Sequence, residues 1–190
     1  INDIHFEKQY NLDANLPLKV IEHVIDPGIL SILKQYYSAQ INKNVWKLGD
    51  RQSNRYKSHN EPFSRILQYE LLPLIEKITS KTLRPTYTYL SGYLKGALLP
   101  PHTDRPDCEY TVSFIVDKPE GSNWNIYIHK PCQPVKHKGR YDIQPPIDEC
   151  EPVDCGTGGL MLFQGTDHIH FREELKHEYY NVLLLHYCSV

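Results

Sequence analysis

The feature that most constrains the fold is a succession of short, strand-like segments that begins near Arg84 and continues to the C-terminus. Segments such as "RPTYTYLSGYLKG" and "EYTVSFIVD" alternate and are rich in tyrosine, threonine and β-branched residues. Glycine, proline and asparagine separate such segments, which is typical of strands joined by turns. Further strands are predicted at "NWNIYIHKP", "GGLMLFQG", "HIHFREEL" and "YYNVLLLHYCSV", and the region accommodates seven or eight strands.

Two helical segments precede these strands. In "DPGILSILKQYYSA", Asp26 is suited to the N-cap and Pro27 to the first helical position. In "EPFSRILQYELLPLIEKITSK", apolar residues recur at helical spacing, Asn60 is the expected cap, and Pro73 should kink the helix or end its first part. The polar stretch between them is expected to be a loop. Helices followed by strands predict an α+β fold, a β-sandwich or barrel with the N-terminal helices packed on one face.

The composition is that of an ordinary globular protein. The 190 residues fit one domain, in which residues 1–82 would be a mainly helical support region and residues 83–190 the β core. A formal net charge of −2 without a basic run gives no indication of a nucleic-acid or membrane surface. The five cysteines form no C-x-x-C motif, which favours free thiols in a reducing compartment. We therefore expect a cytoplasmic protein, monomeric or weakly oligomeric, with no transmembrane span.

Candidate metal ligands lie at two places among the predicted strands. His102 and Asp104 are two residues apart at a strand end, so both face the same side of an extended chain. His168 and His170 are also two apart, far enough along the chain to return on a facing strand. Two histidines and one carboxylate form the ligand set of non-haem Fe(II) oxygenases. Zinc accepts the same ligands, so the residues alone do not determine the metal.

Several motifs together resemble a known family. The chain reads "RPTYTYLSGYLKGALLPPHTDRPDCEYTVSF", then "GTGGLMLFQGTDHIHFREEL", then "LLLHY". In this order the motifs resemble the Fe(II)- and 2-oxoglutarate-dependent dioxygenases of the double-stranded β-helix fold, a jelly-roll or cupin-like architecture. The resemblance is to a group of small prolyl-hydroxylase-like members, and it covers roughly residues 61–187.

The resemblance implies a metal site and an activity. The implied iron ligands are His102, Asp104 and His170, with His170 preferred over His168 because "FRE" follows it where the family has Trp-Arg-Glu. His168 would then lie behind the ligands or face the substrate. The implied cofactors are Fe(II), 2-oxoglutarate as co-substrate, and O₂. The implied reaction is hydroxylation of an unactivated C–H bond in an amino acid, a peptide or protein side chain, or a small metabolite.

The co-substrate also requires a partner for its distal carboxylate, because a buried anion must be paired. Many relatives place an arginine or lysine about ten residues after the distal histidine, where this chain has Tyr180. Arg172 is the first choice instead, since it lies two residues past His170 and should point to the same interior. Arg105 and Arg84 are lesser choices, and Tyr93 and Tyr89 could hydrogen-bond a carboxylate.

Two other functions are compatible with the residues. One is a metal-binding β-barrel without oxygenase activity, either a sensor or a lapsed enzyme. The other is a zinc-dependent hydrolase of cupin-like architecture. The sequence does not identify the small-molecule or peptidyl substrate, but residues 51–59 and 131–152 are expected to form loops that cover the site.

Overall fold

The computed structural model describes residues 7–9, 18–50, 52–132 and 139–190. Its described α-helices are α1 (Pro27–Asn42) and α2 (Pro62–Thr79), and short 3-10 helices lie at Pro106–Cys108 and Ile147–Glu149. As predicted, the Asp26 side chain caps α1, because Oδ1 accepts hydrogen bonds from the backbone N–H groups of Gly28 (2.7 Å) and Ile29 (3.2 Å). None of the described helices is both long enough and apolar enough to cross a membrane.

Of the predictions about α2, the cap at Asn60 is wrong, and an end of the helix at Pro73 is not observed. Its N-cap is Glu61, whose carboxylate accepts from the backbone N–H groups of Phe63 and Ser64. Asn60 instead has a left-handed backbone (φ 50°), and its side chain accepts from the N–H of Thr88 in the sheet. The helix also continues through Pro73, which lies on the exposed face. There water can hydrate the carbonyl that a proline leaves without an N–H partner.

The strands are described from β1 to β12 in chain order. Their bounds are β1 Glu7–Gln9, β2 Lys19–Ile21, β3 Lys47–Leu48, β4 Arg55–His59, β5 Leu83–Leu94, β6 Leu99–His102, β7 Tyr110–Asp117, β8 Ile126–His129, β9 Cys150–Val153, β10 Leu160–Phe163, β11 His170–Arg172 and β12 Tyr179–Ser189. One sheet has the order β1-β2-β10-β7-β12-β5-β4-β3, and the second has the order β6-β11-β8-β9. Every described neighbouring pair is antiparallel. Two facing antiparallel sheets with helices on one side confirm the predicted α+β, double-stranded β-helix class.

The core consists of two apolar layers. In the first, residues of α1 and α2 such as Tyr37 and Leu71 pack on one face of the large sheet. The second lies between the two sheets and contains Trp124, Ile128 and Phe163. The large sheet is therefore covered on both faces, which explains why β7 and most of β12 are buried in successive residues rather than in alternate ones.

The connections differ from the predicted loops. Of the stretch expected to be a loop between the helices, residues 55–59 form β4, which pairs with β5, and β3 pairs with β4. The expected covering loop at residues 51–59 is therefore largely a strand, and Arg51 lies outside the described residues. In the second expected loop, residues 133–138 also lie outside the described part of the chain, and its C-terminal end contributes to β9.

Candidate functional site

The fold brings His102, Asp104 and His170 together at one end of the space between the sheets. Strand β11 pairs with β6 so that His170 lies opposite His102. Asp104 follows the end of β6, where its N–H donates to the carbonyl of Gly165 (2.8 Å). Asp104 Oδ1 lies 3.7 Å from His102 Nε2 and 3.6 Å from His170 Nε2. Two donors that each lie about 2.1 Å from one ion can be at most about 4.2 Å apart, so both distances to Asp104 are compatible with a shared metal ion. The three donor atoms all lie within 4.8 Å of one another.

Both imidazoles are held in the orientation that a metal ligand needs. His102 Nδ1 lies 2.8 Å from the carbonyl oxygen of Pro100, and His170 Nδ1 lies 3.0 Å from that of His168. A carbonyl only accepts, so each Nδ1 donates its hydrogen there, and each Nε2 faces Asp104 as the ring atom that a metal can bind. Burial, with the nearby charge of His170, lowers the pKa of His102 to about 4. His102 is therefore neutral at pH 7.

Asp104 is held ionised by its neighbours. Burial alone would raise the pKa of its carboxyl, but interactions with His170 and His102 outweigh burial and lower it. The hydroxyl of Thr111 donates to Asp104 Oδ2 (2.7 Å), and Thr111 Oγ1 also lies 3.1 Å from Nδ1 of the buried His186. Sequence reasoning did not select Thr111 or His186 as site residues, although His186 belongs to the "LLLHY" motif. Their contacts leave Oδ1 to face the two histidines.

Gly165 leaves the space that Asp104 occupies. A Cβ at residue 165 would lie 2.1 Å from Asp104 Oδ2 and 2.9 Å from Thr111 Oγ1. Any side chain there would collide with the carboxylate. The turn after β10 therefore needs glycine for the site rather than for its backbone conformation.

A second group of donor atoms shares Asp104. Asp104, Cys108 and His186 also have ligand atoms within 4.8 Å of one another. Burial, with the charge of Asp104, raises the pKa of the Cys108 thiol to about 12, so it keeps its proton at pH 7. The Cys108 sulfur is also 3.1 Å from the hydroxyl of Tyr87. A metal binds the thiolate form, so the set formed by His102, Asp104 and His170 is the better metal site.

His102, Asp104 and His170 are called the metal group below. A cavity of about 620 Å³ opens from these residues into the space between the sheets. Its walls include both predicted tyrosines, Tyr89 and Tyr93, and apolar side chains of both sheets, among them Leu99, Ile126, Phe163, Val182 and Leu184. Arg172 and Arg55 also line the cavity. A space of this size accommodates a small co-substrate together with part of a second ligand.

Arg172 is a buried cation without a carboxylate partner. Its side chain lines the same cavity as His170, as predicted from their spacing, and the residue is 4% exposed. Its Nη1 donates to the backbone carbonyl of Trp124, and its guanidinium carbon lies 4.6 Å from the Trp124 ring centre and 5.1 Å from that of Tyr180. Within the described chain, no carboxylate lies within 4.0 Å of its nitrogens. A buried charge of this kind needs a partner, and the open cavity is where an anion can reach it.

Arg55 is equally buried but has an internal partner. Its Nε donates to Asp50 Oδ2 (2.8 Å), and Nη1 donates to the hydroxyl of Tyr93 (2.7 Å) and to Ser91 (3.2 Å). Tyr89 also donates to Asp50 Oδ2 (2.9 Å). Tyr93 accepts from Arg55, so its own hydroxyl hydrogen remains available to a ligand in the cavity.

The other predicted residues are placed differently. His168 is buried with Nδ1 2.9 Å from the carbonyl of His129, and it is not among the cavity-lining residues. Arg84 is exposed and does not line the cavity either. Arg105 lines the cavity from an exposed position, with Nη2 3.2 Å from the hydroxyl of Tyr87. Of the three arginines considered, only Arg172 is a buried cavity residue.

The fold is shared with solved oxygenase structures. It superposes with TM-score 0.68 and 11% identity on a prolyl-4-hydroxylase of Pseudomonas putida, over 93% of this chain and 95% of that one. HygX of Streptomyces hygroscopicus, bound to nickel, 2-oxoglutarate and hygromycin B, gives 0.64 and 11%, over 93% and 84%. The α-ketoglutarate-dependent epimerase SnoN of nogalamycin biosynthesis gives 0.70 and 10%, over 92% and 79%. No family model and no curated protein matches the chain in sequence. Identities this low show a common fold, the double-stranded β-helix of Fe(II)/2-oxoglutarate oxygenases.

Proposed function

We propose that residues 1–190 form one oxygenase domain, an Fe(II)- and 2-oxoglutarate-dependent dioxygenase that hydroxylates a small molecule or a peptidyl side chain. The observation that carries the proposal is that one cavity contains both the metal group and Arg172, a buried cation without a carboxylate partner among the described residues. The fold's solved relatives, among them one bound to nickel and 2-oxoglutarate, support the same reading.

His102, Asp104 and His170 would hold the iron. Two neutral imidazoles and one carboxylate on one face leave the remaining positions open to a co-substrate and to O₂. Thr111 fixes Asp104, and the carbonyls of Pro100 and His168 fix the two rings. Groups that hold the ligands in this way keep the tautomer and orientation required for binding. Bound Fe(II) would supply oxidation of the substrate C–H bond by O₂, coupled to conversion of 2-oxoglutarate to succinate and CO₂.

Arg172 would bind the distal carboxylate of 2-oxoglutarate. A guanidinium forms strong, geometrically defined hydrogen bonds with a carboxylate, and the anion would neutralise a charge that the protein leaves unpaired. Tyr93 would donate its hydroxyl hydrogen to the same anion. We assign Tyr89 a supporting role, because its hydroxyl already donates to Asp50.

Apolar and aromatic side chains limit the access of water to this end of the cavity. Phe163 packs edge-on against the His170 ring at 4.9 Å. The Trp124 ring contacts both the Arg172 guanidinium and the edge of the Tyr93 ring, whose centre lies 4.8 Å away. Excluding water strengthens the interaction of Arg172 with an anion, because the local dielectric is low. The chain's own contribution is thus to orient the ligands, bind the co-substrate and exclude solvent.

Two other functions fit part of the site. Zinc accepts the same three ligands, so a zinc-dependent hydrolase or a metal-binding protein without catalysis would account for the metal group. Neither accounts for Arg172 as an unpaired cation in the same cavity. The buried free thiols Cys108, Cys150, Cys155 and Cys188 support our proposal of a reducing, cytoplasmic location. We further propose that the protein binds no nucleic acid and is a monomer or weak homo-oligomer.

The test is O₂ uptake coupled to succinate formation by purified protein loaded with Fe(II), measured with a library of candidate substrates. We expect succinate to form with 2-oxoglutarate and to increase when a substrate is present. Binding of 2-oxoglutarate to the metal-loaded protein, measured by calorimetry, is the companion measurement. Metal-loaded protein that does not bind 2-oxoglutarate would contradict the proposal, and turnover with zinc in the absence of O₂ would favour the hydrolase.

A further inference from the structure

Strand β4 presents a row of basic side chains to the cavity. Alternate residues of a strand face the same side, and Arg55, Lys57 and His59 of β4 all line the cavity. Their partners on β5 are Tyr93, Ser91 and Tyr89. The row therefore continues the cavity wall beyond β5, on the large sheet, whereas Arg172 lies on the second sheet.

Arg105 adds a cation next to this row. Its guanidinium carbon lies 5.6 Å from the ring centre of Tyr87, to whose hydroxyl it donates. The ring of His59 lies 6.0 Å from that of Tyr87 and 4.5 Å from that of Tyr89. The tyrosine rings thus bring Arg105 close to the side chains of β4.

The charges in this part of the cavity do not balance. Asp50 and Asp104 are the carboxylates among the described lining residues; Asp50 pairs with Arg55, and Asp104 belongs to the metal group. Lys57 and Arg105 have no carboxylate within 4.0 Å in the described ranges. Burial lowers the pKa of His59, and the charges of Arg105 and Lys57 lower it further, which is the effect of a positive local field.

We infer that Lys57 and Arg105 bind an anionic group, a carboxylate or a phosphate, of the substrate. The inference rests on the proposed function, since it places the substrate in the cavity that contains the metal group. The substrate class is a small anionic molecule whose charged group lies at the β4 row while another part reaches the metal group. Arg172 is a separate anion site, because it lies on β11 and serves the co-substrate.

Matched pairs of probes test the inference by direct binding. Benzoate is compared with benzamide, and phenyl phosphate with phenol, by ligand-observed NMR on the full chain, both metal-free and loaded with zinc and 2-oxoglutarate. We expect each anion to bind about fivefold more tightly than its neutral partner, the ratio that one partly exposed charge pair gives. Lys57→Gln and Arg105→Gln should each remove most of that ratio. Lys95→Gln, an exposed lysine paired with Glu178 outside the cavity, is the matched control and should keep it.

The outcomes separate this inference from the proposed function. Equal binding of anionic and neutral probes would overturn the inference, even if succinate formation is observed. A preference that survives both Lys57→Gln and Arg105→Gln but disappears in Arg172→Met would also overturn it, because the anion would then bind at Arg172. A preference that both variants remove in metal-free protein would support the anion site, even if no turnover is found.

Discussion

The two buried arginines of the cavity show two ways in which a fold accommodates a charge. Arg55 on β4 and Arg172 on β11 are 5% and 4% exposed, and both contact aromatic rings. Arg55 has a carboxylate partner, Asp50, at 2.8 Å. Arg172 has one carbonyl acceptor and two aromatic faces but no carboxylate in the described structure.

The difference indicates which arginine serves the fold and which serves a ligand. A buried ion pair is neutral as a unit, and it orders the residues around it, here the turn that leads into β4 and the hydroxyls of Tyr89 and Tyr93. A buried cation without a counter-ion is unfavourable until an anion arrives. Under the proposed function, Arg172 is already desolvated before the co-substrate arrives, and a bound co-substrate carboxylate would gain from that preorganisation.

The largest effect should come from breaking the internal pair. Arg55→Met leaves Asp50 without its counter-ion in a mostly buried position, and removing one partner of a buried pair costs about 3 kcal/mol. We expect the free energy of unfolding, measured by urea denaturation at pH 7, to fall by about that amount. The double variant Asp50→Asn/Arg55→Met should recover part of the loss, since neither charge then remains alone. A loss below about 1 kcal/mol for Arg55→Met would show that the pair does not stabilise the fold.

The matching substitution at Arg172 should affect the ligand instead of the fold. Arg172→Met keeps an apolar stem against Trp124 and removes an unpaired charge, so stability should change by less than about 1 kcal/mol. Affinity for 2-oxoglutarate should fall about 100-fold, because a charge-assisted pair in a dry site is lost. Calorimetry on the metal-free protein measures the metal affinity, which should be unchanged. Calorimetry on the metal-loaded protein measures the affinity for 2-oxoglutarate.

Arg84→Met, at an exposed position outside the cavity, is the control for the arginine substitution. It should leave both metal and 2-oxoglutarate affinity unchanged. If Arg172→Met binds 2-oxoglutarate as tightly as the unmodified protein, the distinction between the two arginines fails, and Arg55 becomes the candidate for the anchor.

A third prediction tests whether Asp104 is a metal ligand, at the end of the cavity that Arg172 shares with His170. Gly165→Ala would place a Cβ in the space of Asp104 Oδ2, so the carboxylate must shift. We expect affinity for Fe(II) or zinc to fall about 10- to 100-fold, the range found when groups that orient metal ligands are altered. Gly96→Ala, whose glycine has a positive φ but no atom within 4 Å of the added Cβ, controls for the general effect of replacing a turn glycine. Unchanged metal affinity in Gly165→Ala would remove Asp104 from the ligand set.

Much of this arrangement could be predicted from the sequence, because it depends on local patterns. Alternation and β-branched residues predicted β5, β7 and β12, and the two-residue spacing of His102 and Asp104 placed both on one side of the chain. The same argument predicted that Arg172 would share the interior of His170. In each case, side chains that are neighbours along one strand carry the information.

What the sequence did not predict depends on contacts between distant segments. Strand β4, "RYKSH", lacks alternating apolar residues because its inward side chains are basic, so it resembles a polar loop until β5 pairs with it. Thr111 and His186 meet behind Asp104 because β7 and β12 are neighbours in the sheet, with His186 opposite Thr111. The ion pair of Arg55 with Asp50 likewise forms only when the cavity is assembled. The lack of a described carboxylate partner for Arg172 also becomes visible only then.

The smallest effect we predict is a pH dependence of the free energy of unfolding that arises from Asp50, the partner of Arg55. Burial would raise the pKa of Asp50, but the charge of Arg55 and the N–H groups of Gln52 and Ser53 outweigh it and lower the pKa from 3.8 to about 2. A carboxyl with a lowered folded-state pKa stabilises the fold above its unfolded pKa, and the stabilisation is lost as the pH falls towards the folded value. The stability difference between unmodified protein and Asp50→Asn should therefore be constant above about pH 5 and shrink by about 1 kcal/mol by pH 3, after allowance for solvent screening. Urea denaturation at pH 7, 5, 4 and 3 measures it, with Asp142→Asn, an exposed position, as the control. A difference that stays constant down to pH 3 would mean that Arg55 does not hold Asp50 ionised, and the contrast with Arg172 would lose its electrostatic basis.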